Sequence, residues 1–137
     1  HIIVYYSVAQ HCVEVSRRCD PADALWGLLH DAAEAYLTDL ARPIKHSPEM
    51  EPFRRAEDLI QRAVCEKFGL EPVMPASVKY ADNVELVTEA EQLMLFTPEE
   101  WHLKMGVPVR AQLLTPFSPV DAKAQFLCRY EELMANE

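Results

Sequence analysis

Residues 76–96, ASVKYADNVELVTEAEQLMLF, repeat apolar side chains at every third or fourth position. The stripe comprises Val84, Val87, Ala90 and Leu93-Met94. That spacing matches the 3.6-residue period of an α-helix that buries one face, whereas a half-buried strand alternates strictly. The segment therefore predicts a long amphipathic helix.

The same period recurs along most of the chain and predicts an all-α fold. We expect helices near residues 7–19, 21–36, 48–68, 76–96 and 119–135, with a short turn near 98–102. Proline follows a capping residue type at the start of four segments, as the first helical position favours: Asp20-Pro21, Ser47-Pro48, Thr97-Pro98 and Ser118-Pro119. Gly69 suits the left-handed residue that ends a helix. Only residues 2–6 have an extended or strand-like pattern.

The length of 137 residues fits one domain, because folding units cluster at about 100–150 residues. Neither a repeat nor a low-complexity linker divides the sequence. We therefore expect a single domain over residues 1–137, built as a helical bundle of about five to six helices. The sequence starts without an initiator methionine, so we also expect a segment before His1.

Composition excludes several classes of partner. Thirteen Lys and Arg against 22 Asp and Glu give a formal charge of −9, whereas nucleic acids and anionic membranes require a basic face. No apolar run approaches the roughly 18 residues of a membrane span. The four cysteines are scattered without a CxxC pair. This pattern favours reduced thiols and a cytoplasmic protein.

A histidine and an aspartate stand together late in the predicted helix 21–36. His30 and Asp31 follow a mostly apolar stretch of sequence that contains Leu25, Trp26, Leu28 and Leu29. An imidazole and an ionised carboxylate in such surroundings face a desolvation cost of several kcal/mol unless a partner compensates them. A divalent metal ion is such a partner, since it supplies a countercharge and organises its ligands.

Two further candidate ligands lie on other predicted helices. His11 on the first helix and Asp82 on the fourth would complete a set of two histidines and two aspartates. Mixed nitrogen and oxygen donors suit Mn²⁺, Fe²⁺, Co²⁺, Ni²⁺ or Zn²⁺ better than Ca²⁺. Glu34 falls on the same predicted helix face as His30 and Asp31, where a carboxylate could act as general acid or base.

Each of these residues also has a purely structural explanation. A histidine such as His11 on an apolar helix face is commonly a hydrogen-bonded core residue, and Asp82 or Glu34 could be a solvated acid. His1, His46 and His102 are expected at the surface. The combination of two histidines and two aspartates in apolar contexts is what favours a metal site.

Four segments carry a family resemblance by their order and spacing: Ser7-Val8-Ala9-Gln10-His11, Leu29-His30-Asp31-Ala32-Ala33-Glu34, Asp39-Leu40-Ala41-Arg42-Pro43-Ile44-Lys45 and Lys79-Tyr80-Ala81-Asp82. They resemble the HD-domain phosphohydrolases, in particular the 5′-deoxynucleotidase-like branch and its bacterial and phage relatives. The resemblance covers most of residues 5–96. It implies an all-α bundle and specific roles for eight residues. By position, His11, His30, Asp31 and Asp82 match metal ligands, Glu34 and Asp39 match catalytic acids, and Lys45 and Lys79 match lysines that bind the substrate phosphate.

The resemblance implies an enzyme that uses one divalent transition metal ion to remove phosphate from a nucleotide, foremost a deoxynucleoside 5′-monophosphate. A deoxynucleoside triphosphate triphosphohydrolase is an alternative, as is a non-catalytic protein that binds nucleotide or metal. A plain helical interaction module, with His30 and Asp31 satisfying each other, is a third. The expected partner is a small phosphorylated molecule, and a homodimer is left open because relatives often dimerise.

Overall fold

The computed structural model describes residues 4–95 and 105–135. These ranges contain six α-helices, which we number in chain order: α1 (Val8–Arg18), α2 (Ala24–Leu29), α3 (Arg42–Lys45), α4 (Glu51–Phe68), α5 (Ala76–Leu93) and α6 (Pro119–Met134). Three short 3₁₀ segments join them, at Pro21–Asp23, Ala32–Ala35 and Pro48–Met50. The part of the chain that the structure describes holds no strand, so the all-α prediction is confirmed.

Four predicted helices are found within a few residues of their expected bounds, as α1, α4, α5 and α6. The turn predicted near residues 98–102 and the cap at Thr97 lie outside the described residues. Short helix α3 was not predicted. None of the described helices is both long enough and apolar enough to cross a membrane.

The prediction of one helix over residues 21–36 is wrong. The segment begins as the 3₁₀ turn Pro21–Asp23, continues as α2, stops at Leu29 and resumes as the 3₁₀ segment Ala32–Ala35. The side-chain amide of Gln61 donates a 3.0 Å hydrogen bond to the Leu29 carbonyl, which would accept the next helical bond in an unbroken helix. His30 and Asp31 therefore lie in a turn and not within a helix.

The predicted caps are confirmed in part. The Ser118 hydroxyl accepts from the backbone N–H of Asp121, and Gly69 adopts a φ of 66° at the end of α4. Asp20 and Ser47 precede prolines as expected, but neither side chain caps a helix. Each of these two residues precedes a 3₁₀ turn that is held by backbone hydrogen bonds. In the first turn, the N–H of Asp23 donates to the Asp20 carbonyl at 2.8 Å.

The chain folds as two compact units, His1–Leu28 with Pro75–Glu137 as unit 1 and Leu29–Met74 as unit 2. In unit 1, α1 packs against α5 and α6. Buried Cys12, Val13 and Leu28 form its core, and a layer of larger side chains covers them, namely Phe126, Tyr130 and Leu133. Helix α5 is buried on most sides, and its Val84 and Val87 form a second core cluster with Val107.

Unit 2 is built around α4, which contacts α3 and the two 3₁₀ segments Ala32–Ala35 and Pro48–Met50. The guanidinium of Arg54 donates to the carbonyl oxygens of Lys45 and Ser47, which ties the α3 region to α4. Only Cys65 is buried along α4. Leu59 on α4 is 67% exposed.

All four cysteines are free thiols, as the sequence predicts. Cys12, Cys19 and Cys65 are buried, and Cys128 is exposed on α6.

Candidate metal centre

His11 lies on the buried face of α1, which Ser7 starts by accepting a hydrogen bond from the Gln10 N–H. Its Nδ1 lies 2.7 Å from Oε1 of Glu89, and its Nε2 lies 3.5 Å from Oδ1 of Asp82. A carboxylate oxygen only accepts, so the short contact requires that Nδ1–H donates to Glu89. The imidazole thus presents its second nitrogen toward Asp82.

Asp82 is buried on α5 and forms a second close contact, with Nζ of Lys79 at 2.7 Å from its Oδ2. Burial by itself would raise the pKa of this carboxyl group, but the hydrogen bonds and charges of His11 and Lys79 outweigh burial and hold the pKa well below its usual range. Asp82 is therefore an anion at neutral pH, which is the form that binds a metal ion.

Sequence reasoning missed two further carboxylates on α5. Glu85 and Glu89 follow Asp82 at helical spacing, and the chain brings all three to buried or partly buried positions. Glu85 is fully buried and pairs with the guanidinium groups of Arg18 and Arg110. The signal that could have found them is a polar stripe at three- and four-residue spacing along a helix that is otherwise apolar.

In unit 2, the neighbouring residues His30 and Asp31 form the other pair. His30 Nε2 lies 3.2 Å from Oδ2 of Asp31, and the His30 side chain is almost completely buried. The backbone N–H of Glu34 donates to the Asp31 carbonyl at 3.0 Å. Glu34 lies in the 3₁₀ segment Ala32–Ala35 and is partly buried. The predicted shared α-helical face of His30 and Glu34 is wrong, since no α-helix joins them.

The predicted phosphate ligand Lys45 and the predicted acid Asp39 also lie in unit 2. Nζ of Lys45 lies 2.7 Å from Oε1 of Glu57. Burial lowers the pKa of Lys45, but the hydrogen bond and charge of Glu57, with those of Glu34 and Asp31, leave the pKa above its usual value. Lys45 is therefore a firmly charged cation. Asp39 is exposed.

The predicted ligands His11, His30 and Asp31 each offer a ligand atom that a metal ion could accept. Asp82 contacts His11 within unit 1, and Asp31 contacts His30 within unit 2. Imidazole nitrogen and carboxylate oxygen form the mixed donor set that first-row transition metals accept.

No protein-family model matches the chain, which is similar to two uncharacterized bacterial proteins. The uncharacterized protein YfdR of Escherichia coli is 37% identical, over 97% of this chain and 74% of its own length. The uncharacterized protein RCAP_rcc00048 of Rhodobacter capsulatus is 33% identical, over 96% of this chain and 74% of its own length.

Proposed function

We propose that this chain, which belongs to the family of the YfdR protein of Escherichia coli, is a metal-dependent phosphohydrolase. Its substrate would be a nucleotide, foremost a deoxynucleoside 5′-monophosphate. The proposal rests on the resemblance to HD-domain phosphohydrolases and on the donor chemistry of two His–Asp pairs, His11 with Asp82 and His30 with Asp31.

The observation that carries the proposal is the orientation of His11. Its Nδ1 is occupied by Glu89 at 2.7 Å, and its Nε2 lies 3.5 Å from Asp82. That separation is longer than a good N–H···O hydrogen bond. Bonds of about 2.0–2.2 Å from one ion to nitrogen and to oxygen would span it. His11 and Asp82 are therefore spaced as two ligands of one cation would be.

A bound divalent transition metal would supply positive charge against the phosphoryl oxygens and would lower the pKa of a water molecule. The remaining tasks belong to the protein. Lys45 and Lys79 carry the positive charges that would hold a phosphate group in an otherwise acidic chain. Glu34, partly buried beside Asp31, would accept the proton of the attacking water and return it to the leaving alcohol. Asp39 would help to hold the site, as the resemblance implies.

The attack of water would proceed in line with the bond to the leaving oxygen, as phosphoryl transfer requires. The P–O bond to the nucleoside then breaks, and the products are inorganic phosphate and a nucleoside. A protein that only bound nucleotide would have no use for Glu34 as a proton carrier.

The experiment is phosphate release from a panel of nucleoside monophosphates and deoxynucleoside triphosphates, with Mn²⁺ or Co²⁺ added. We expect release from a monophosphate, and a loss of at least about 100-fold in Asp82→Asn. Glu131→Gln, which removes an equal charge from an exposed position on α6, should keep the wild-type rate. Tripolyphosphate release from triphosphates alone would instead identify a triphosphohydrolase. No turnover of any member, or turnover at an unchanged rate in Asp82→Asn, would refute the proposal.

A further inference from the structure

We infer that Glu89 is a positioning residue that fixes the tautomer of His11, so that Nε2 and not Nδ1 is the nitrogen available to a metal ion. This inference rests on the proposed function for its purpose. It depends on residues of unit 1 alone, and the sequence resemblance assigned no role to Glu89.

One carboxylate oxygen of Glu89 accepts two hydrogen bonds. Oε1 of Glu89 accepts from Nδ1–H of His11 at 2.7 Å and from the hydroxyl of Tyr6 at 2.9 Å. Two donors on one oxygen hold the carboxylate in a single orientation. Glu89 is mostly buried, so water competes weakly for this oxygen.

The opposite side of the imidazole is arranged differently. Nε2 faces Oδ1 of Asp82 at 3.5 Å, a longer and therefore weaker hydrogen-bond contact than that of Nδ1 with Glu89. Asp82 already accepts from Lys79 at 2.7 Å. A neutral His11 therefore gains more by carrying its proton at Nδ1 than at Nε2, and the lone pair of Nε2 faces the second predicted ligand.

Metal-binding histidines commonly donate their other N–H to a carboxylate, which orients the ring and raises its basicity. Loss of such a partner typically lowers metal affinity by about 10–100-fold. A purely structural Glu89 would instead affect folding and leave the tautomer of His11 unchanged.

The first test reads the tautomer directly, by ¹⁵N NMR of the imidazole in metal-free protein at a pH where His11 is neutral. A His11→Gln spectrum assigns the signal among the five histidines. We expect protonated Nδ1 and unprotonated Nε2 in the wild type. In Glu89→Leu the proton should move to Nε2, where Asp82 can accept it. Glu89→Gln keeps an acceptor oxygen and should retain the wild-type tautomer. Protonation at Nε2 in the wild type would overturn the inference.

The second test is calorimetric titration of the same proteins with Mn²⁺ or Co²⁺. Glu89→Leu should bind about 10–100-fold more weakly, Glu89→Gln should lose less, and Glu131→Leu, an exposed control on α6, should match the wild type. Unchanged affinity in a folded Glu89→Leu would contradict the inference. If the wild type binds neither ion, the proposed function fails, while the NMR result still decides the role of Glu89.

Discussion

The two His–Asp pairs of the molecule are built in opposite ways. His11 and Asp82 come from two helices, α1 and α5, that are distant in sequence, and long-range packing brings them within 3.5 Å. His30 and Asp31 are neighbours in a turn and lie 3.2 Å apart. The first pair therefore depends on the core of unit 1, whereas the second depends on local backbone geometry.

The helices of the two units also differ in how deeply they are buried. Helix α5 carries nine buried residues, but α4, of equal length, carries one. Buried Glu85 and partly buried Glu89 lie on α5, as Asp82 does. Glu85 pairs with Arg18 and Arg110, and Glu89 pairs with His11. We infer that changes in unit 1 affect stability more than comparable changes in unit 2.

The largest effect is expected for Glu85→Gln. Glu85 is fully buried between two guanidinium groups, and removal of one partner of a buried ion pair costs about 3–5 kcal/mol. Arg18 is partly exposed and can regain water, so we expect about 3 kcal/mol of lost unfolding free energy in urea titrations. Glu66→Gln, on the exposed face of α4, should change stability by less than about 0.5 kcal/mol. Equal effects in the two variants would remove the contrast between the units.

A comparison of two leucines sharpens the contrast. Leu28 is completely buried in unit 1, and its truncation to alanine should cost about 3 kcal/mol through lost burial and a residual cavity. Leu59 is 67% exposed on α4, so Leu59→Ala should cost less than about 0.5 kcal/mol. Urea unfolding of both variants measures the difference. A large loss in Leu59→Ala would mean that unit 2 has a core that covers this side chain.

The two candidate phosphate-binding lysines allow a comparison of charge. Lys45 is partly buried beside Glu57, and Lys45→Met should cost about 1 kcal/mol because it leaves that carboxylate without its cation. Lys79 is 52% exposed, so Lys79→Met should leave stability nearly unchanged. Both variants should raise the KM for a nucleotide if they bind its phosphate. An unchanged KM in both would remove the lysines from the proposed site.

The effect expected at Tyr6 depends on pH. Burial first, and then the charge of Glu89, raise the pKa of Tyr6 in the folded protein. The resulting stabilisation is complete below the unfolded pKa of about 10 and is lost as the pH rises above it. At pH 8, Tyr6→Phe should therefore be less stable than the wild type by about 1 kcal/mol, and the gap should shrink by pH 11.

Tyr36, 75% exposed in unit 2, provides the matched control. For Tyr36→Phe, the stability difference from the wild type should be the same at pH 8 and pH 11. If the stability difference for Tyr6→Phe were also the same at both pH values, the hydrogen bond from Tyr6 to Glu89 would be contradicted.

Local sequence patterns predicted the fold class and four helices, because apolar period and Pro or Gly position are properties of nearby residues. They failed where a distant residue intervened. The predicted helix 21–36 is interrupted after Leu29, where the side-chain amide of Gln61 donates to the Leu29 carbonyl. Likewise, His11 and Asp82 were predicted from a resemblance, but Glu89 was not, because its role arises only when α1 crosses α5.

The central claim is that His11 and Asp82 bind a divalent metal ion. Its most direct test is the metal content and Mn²⁺ or Co²⁺ titration of the wild type, His11→Ala and Asp82→Ala, with Glu131→Gln as control. We expect one ion per chain in the wild type and in Glu131→Gln, and loss of that ion in either alanine variant. A wild type that binds no ion, or an alanine variant that binds with wild-type affinity and stoichiometry, would contradict it.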